Sequence, residues 1–257
     1  MNRVEGNAGK VMNTIGIDNN LDRARIKKLL AIGLFASVLT GIGDFLLGYA
    51  KEIPTSTLAT SFLSGAPNLT DGQMIAGGLL GFLGIFLEGL AFFAIYRLMA
   101  DVAPKYAHIY RAGIFGYIWL APVGTHMNIG ILSLVYKYLL SLDEATANLV
   151  ADRLFWGFSQ PIYVLLIIFW VPMIVVQFKA FDKGYTPYPR SAKWYNLIVG
   201  AIPALVISML LGSGNALGAG IGTMFLSFGN AFMFGGLLFA LPDQETFDRF
   251  KEEHQIA

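Results

Sequence analysis

An all-α polytopic membrane protein, a bundle of six transmembrane helices with both termini cytoplasmic, is the fold class the sequence predicts. Three observations predict it. Of 257 residues, 55% are hydrophobic and 14% charged, against about 25% charged in ordinary soluble domains. Six apolar runs stand near the roughly 20 residues a spanning helix needs. The Lys and Arg residues, finally, are unevenly shared between the segments that join those runs. This composition excludes a soluble globular enzyme and a disordered chain. A net charge of +1 excludes a nucleic-acid binder, which carries a strong basic excess. With no cysteine there is no disulfide framework, thiolate metal site or Cys nucleophile.

Taken in order, residues 1–27 read as a polar cytoplasmic tail. The first run, 29–50, comes after Lys27 and Lys28; it begins too late and lacks the cleavage site of a secretory signal. The loop 51–74 contains two prolines and is expected to fold over the outer mouth, and its Asn68-Leu69-Thr70 has the form of a glycosylation acceptor. The second run, 75–96, ends at Arg97. Arg111 and Lys137 bracket the third, 112–136, and Arg153 and Lys179 bracket the fourth, 154–178. Residues 181–191, with two prolines and two tyrosines, read as an ordered connection. The fifth run, 194–212, comes after Lys193, and the sixth, 219–241, closes at Pro242-Asp243. No run reads as clearly broken. Residues 28–242 thus form the transmembrane domain, and 243–257 a short charged cytoplasmic tail.

Orientation comes from the basic residues. Fifteen of the eighteen lie in the N-terminal tail, the second and fourth loops and the C-terminal tail; only Lys51, Lys137 and Arg153 lie opposite. The basic side faces the cytoplasm, so both termini are expected inside, in a cell membrane, with a bacterial inner membrane as the expected location.

A charge within hydrocarbon costs at least about 2.5–3.5 kcal/mol, so acids inside the runs need a reason. Asp44 and Glu88 are the two of seventeen acids so placed, and His126 is the one such histidine. At about 1.5 Å per residue, Asp44 lies roughly 24 Å and His126 roughly 22 Å from the inner boundary, with Glu88 nearer roughly 14–18 Å. Asn128, Gln160, Ser227 and Asn230 complete a polar layer in the middle-to-outer half, and Asn215 lies near the outer end of the fifth run. The stripes Gly33–Ser37–Gly41–Asp44–Gly48 and Gly77–Gly81–Gly84–Glu88–Ala91 advance by three or four residues, as one helix face does. Small residues let helices approach closely, so the amides also suit a role as interhelical glue. Gln160, beside Pro161, also suits a carbonyl freed by the proline.

Asp44 and His126 lie at similar depth, where the carboxylate would orient the imidazole, and Glu88 has no basic partner in view. The three are the candidate catalytic groups for acid–base chemistry on a lipid or isoprenoid-like substrate. Asn128, Trp119, Trp156, Gln160, Tyr163, Ser227 and Asn230 are candidate substrate-binding residues, with Trp170 a further aromatic, since rings suit an apolar or cationic guest. The same acids suit a proton-coupled transporter or small channel, and an accessory subunit is a third reading. No HExxH, paired histidine or GxSxG occurs; neither a metal nor a cofactor is expected. The expected partners are the bilayer and a lipid-like small molecule, with no nucleic acid; the sequence does not fix an oligomeric state.

Gly41-Ile42-Gly43-Asp44 and Pro203-Ala204-Leu205 resemble the GxGD and PAL motifs of intramembrane aspartyl proteases of the presenilin type. That resemblance implies a second aspartate on a preceding span, and none precedes here, so it assigns no activity. A weak internal echo pairs residues 40–46 with 211–217, which would fit three hairpins of one ancestry.

Overall fold

The computed structural model describes residues 20–212 and 214–256. It is all-helical, with no strand among the described residues. The polar tail expected at 1–27 lies mostly outside them.

Helix α1 spans Arg23–Gly48, started by the Asp22 carboxylate, which accepts from the Ala24 and Arg25 amides. A short helix α2, Leu58–Ser61, precedes α3, Asp71–Ala91, whose Thr70 and Gln73 cap each other's backbone amides. Phe93–Met99 continues as α4. Helix α5, Pro104–Ala121, passes through a π-helical turn, Pro122–Met127, into α6, Asn128–Leu140. Helix α7, Glu144–Leu154, passes through a second such turn, Phe155–Ser159, into α8, Gln160–Asp182. Then come α9, Leu197–Leu211, α10, Ala216–Thr223, α11, Phe225–Phe239, and α12, Gln244–Glu253.

Four stretches are long and apolar enough to cross a membrane: Arg23–Gly48, Asp71–Met99, Pro104–Leu140 and Glu144–Asp182. A fifth candidate is the pair α10 and α11, bent by 53° at Met224. This corrects the expectation that no run is broken. The fifth apolar run forms the 15-residue α9, about 22 Å long at 1.5 Å per residue. The π turns fall beside Pro122 and just before Pro161. A proline has no N–H for the usual helical bond and crowds the carbonyl four residues back, so both prolines sit where the regular helix is already interrupted.

Helix α1 packs along α3 and α11, α5 along α8, and α9 along α11. The α1–α3 crossing is close because glycines face each other there. A Cβ on Gly43 would lie 2.6 Å from the Gly81 nitrogen, which only bare backbone permits.

The end of the bundle near the termini is held by Arg23 Nε donating to the Pro242 carbonyl at 2.6 Å and Tyr188 OH to that of Leu237 at 2.8 Å. Residues 243–257, read as a charged tail, contain α12, which buries Phe247 and Phe250 in this end. At the other end, Ala50, Leu63, Ala66 and Leu69 pack against Leu132, Tyr136, Ala147 and Ala151 of the α6–α7 hairpin. The loop expected over a cavity mouth thus lies on that hairpin. The internal echo has no structural counterpart. Gly41 and Asp44 sit inside α1, whereas Gly212, at φ +76°, ends α9 and Asn215 caps α10.

Candidate functional site

The helices leave a cavity of about 140 Å³ whose walls come from strides of three or four residues. Thr40 and Asp44 face it from α1, Ile85 and Glu88 from α3, Tyr117 and Ala121 from α5. Thr125 and His126 come from the π turn, Leu166 and Trp170 from α8, and Thr223, Leu226, Ser227 and Asn230 from the α10–α11 break and the turns after it. The three candidate catalytic residues therefore share one cavity.

His126 reaches Asp44 across α3. Its ring lies over Gly81, where an added Cβ would fall 1.7 Å from the imidazole, and Nε2 stands 2.6 Å from Asp44 Oδ1. Nδ1 lies 3.1 Å from Thr125 Oγ1. That hydroxyl gives its one proton to the Ala121 carbonyl at 2.6 Å, so it can only accept from the ring, and Nδ1 must carry a hydrogen. Asp44 Oδ2 accepts from the Ser227 hydroxyl. Ser227 lies in the first turn of α11, where the positive end of the helix dipole favours a carboxylate. By this bookkeeping Nδ1 carries a hydrogen and one further proton lies between Nε2 and Asp44 Oδ1, so the pair has no net charge.

Glu88 is buried and sits apart from that pair. Its Oε2 accepts from Tyr117 OH at 2.6 Å and from Asn230 Nδ2 at 2.9 Å. The first bond orients the tyrosine and the second fixes the Asn230 amide with its oxygen turned away from Glu88. Among the described residues, Glu88 Oε1, Asn230 Oδ1 and Trp170 Nε1 are buried without a hydrogen-bond partner. No Lys or Arg lines the cavity.

The remaining candidates lie elsewhere. Asn128 Nδ2, at the start of α6, donates at 2.6 Å to Ser159 Oγ, at the end of the second π turn. Gln160 is half-buried and Tyr163 packs edge-on to Phe155; neither lines the cavity. Trp156 is 53% exposed against Phe155, and Trp119 is 77% exposed beside Phe115 and Phe169 on the outside of the bundle. Trp170 does line the cavity, stacked on Tyr117 with ring centroids 6.3 Å apart. Tyr117, Thr40 and Thr125 were not among the sequence candidates. The signal for Tyr117 lay in the stride Tyr117–Ala121–Thr125, which runs by fours and ends beside His126. Among the described residues, no group of three His, Asp or Glu gathers closely enough to hold a metal ion.

No curated protein and no solved structure matches the chain. One family does match, over residues 12–244. The chain therefore belongs to that family, described as a family of unknown function, DUF6796.

Proposed function

We propose that the chain is an integral membrane protein crossing the bilayer six times, with both termini in the cytoplasm. Its cavity, on this reading, performs acid–base chemistry on the reacting end of a lipid-like substrate. The topology rests on the fifteen-to-three division of basic residues and on helix surfaces that turn Phe35, Leu79, Trp119, Ile168 and Leu210 outward. A soluble protein exposes so continuous an apolar surface rarely. On the six-span reading, α9 and the bent pair are the last two crossings.

The observation that carries the chemistry is the single cavity holding two proton-bearing systems. Asp44 holds the His126 ring through Nε2 and Thr125 accepts from Nδ1, so a substrate atom that displaces the Thr125 hydroxyl, itself at the cavity wall, would meet the Nδ1 proton in a defined direction. Glu88 lines the same cavity and its buried Oε1 has no hydrogen-bond partner, the nearby Ser37 hydroxyl donating to the Gly33 carbonyl at 2.8 Å; a turn of the carboxyl would bring that oxygen to a substrate atom. One group gives a proton and the other takes one, which is the need of an isomerisation or a cyclisation. Towards the termini Phe92 and Phe234 pack in the core at 5.2 Å between ring centroids. At about 140 Å³ the cavity has room for a headgroup or one end of a chain. The rest of a lipid would lie in the bilayer.

The test is to incubate the purified protein with total bacterial lipid extract and track every lipid by mass spectrometry. A lipid consumed by wild type and spared by Asp44→Asn and Glu88→Gln is the expected result. Equal consumption by all three proteins contradicts the assignment. A proton-coupled carrier is the second reading, favoured by the break at Met224 beside Asp44, since broken helices often mark transporter sites. It predicts acidification of dye-loaded proteoliposomes on addition of solute, with no lipid consumed.

A further inference from the structure

The unpartnered atoms around the cavity define what would fit it. Glu88 Oε1 and Asn230 Oδ1 are acceptors without donors, on different helices, and Trp170 Nε1 is a donor without an acceptor. Leaving buried polar groups unpaired costs roughly 1–3 kcal/mol each, so an occupant that pairs them gains by doing so. It must bring at least two N–H or O–H donors. Charge narrows the choice. Asp44 and His126 cancel, no Lys or Arg lines the cavity, and Glu88 is left as the unbalanced acid. The stacked rings of Tyr117 and Trp170 supply a π surface that attracts a cation. Ile85, Leu166 and Leu226 supply apolar wall.

Resting on the reading of this cavity as a substrate site, we propose that its occupant carries a primary ammonium group. That group bonds Glu88 Oε1 and Asn230 Oδ1, while an apolar part lies along Tyr117 and Trp170. Two sources share this chemistry: a free small amine and the headgroup of an aminophospholipid. The volume of about 140 Å³ is close to that of an engineered protein cavity, about 150 Å³, that takes one benzene, so benzylamine is a suitable probe and benzyl alcohol its neutral counterpart.

Binding of both is measured by calorimetry on the full chain in phosphatidylcholine nanodiscs at neutral pH, where benzylamine is protonated. Benzylamine is expected to bind wild type at least tenfold more tightly than benzyl alcohol. Glu88→Gln, which keeps the side-chain shape, is expected to lose at least tenfold in benzylamine affinity, about 1.4 kcal/mol. Equal binding of the two probes to wild type overturns the proposal without reference to any variant, and so does unchanged benzylamine binding in a folded Glu88→Gln protein. Repeating the titration with phosphatidylethanolamine in the nanodisc assigns the source. Weakened benzylamine binding points to a lipid headgroup, and unchanged binding to a free amine. If lipid is consumed but benzylamine does not bind, this inference fails while the enzymatic reading stands. If benzylamine binds selectively and no lipid is consumed, the site assignment stands and the enzymatic reading fails.

Discussion

Around Phe92 the helices close on aromatic rings; one turn of α3 earlier, around Glu88, the same helices close on polar atoms with nothing to bond. Phe92 meets Tyr117 edge-on at 5.2 Å, Tyr110 at 6.4 Å and Phe234 at 5.2 Å. Glu88 takes one bond from Tyr117 and one from Asn230 and leaves its second oxygen empty. Tyr117 belongs to both regions, its ring in the aromatic cluster and its hydroxyl on the acid. The pairing shows how such a bundle separates its tasks. The cluster towards the termini supplies cohesion and covers one unpartnered hydroxyl, that of Tyr110, whereas the polar region it supports gathers three unpartnered atoms on residues lining one cavity.

Removing Phe92 probes this division with the largest effect. In lipid the transfer part of a large-to-small penalty shrinks, because the unfolded helices also lie among hydrocarbon. The void remains, and at about 24 cal/mol per Å³ over roughly 100 Å³ of ring Phe92→Ala costs about 2.4 kcal/mol. Denaturant unfolding in mixed micelles measures it. Gly81→Ala comes next, because the new methyl collides with the His126 ring. A cost of about 1–3 kcal/mol is expected, with His126 turned off Asp44 and lipid turnover lost. Smaller still is Glu88→Gln, which exchanges an acid with an unpaired oxygen for a neutral amide. Stability is expected to move by less than about 1 kcal/mol while benzylamine binding falls. A loss matching that of Phe92→Ala would place Glu88 with the structural cluster instead. Trp119→Ala, on the outside of the bundle, is expected to stay within about 0.5 kcal/mol of wild type and to leave benzylamine affinity unchanged.

Part of this contrast is legible in the sequence. Asp44, Glu88 and His126 stand out because an ionisable side chain inside an apolar run needs compensation, and Ser227 and Asn230 lie on the same kind of stripe. The structure brings these five to one cavity. The aromatic wall is less legible, because successive helical residues are turned by about 100°. Trp119, two residues after Tyr117, therefore points out of the bundle while Tyr117 points in. The two π turns add to the difficulty. Each inserts extra backbone beside a proline and rotates the helix beyond it, and in the first of them Thr125 and its neighbour His126 both face the cavity. The α10–α11 break was hidden as well. Nothing at Met224 itself signals a bend.

The chemistry of the cavity turns on Asp44 and His126 holding one proton between them, with Glu88 left as the acid without a basic partner. Replacing His108 and His254 with Gln leaves His126 as the single histidine, and nitrogen-15 NMR then reads both of its ring nitrogens. Both are expected to carry hydrogen at neutral pH, with Nε2 losing its hydrogen in Asp44→Asn. A wild-type ring whose Nδ1 is bare would contradict the hydrogen-bond count at Thr125, and with it the charge count for the cavity.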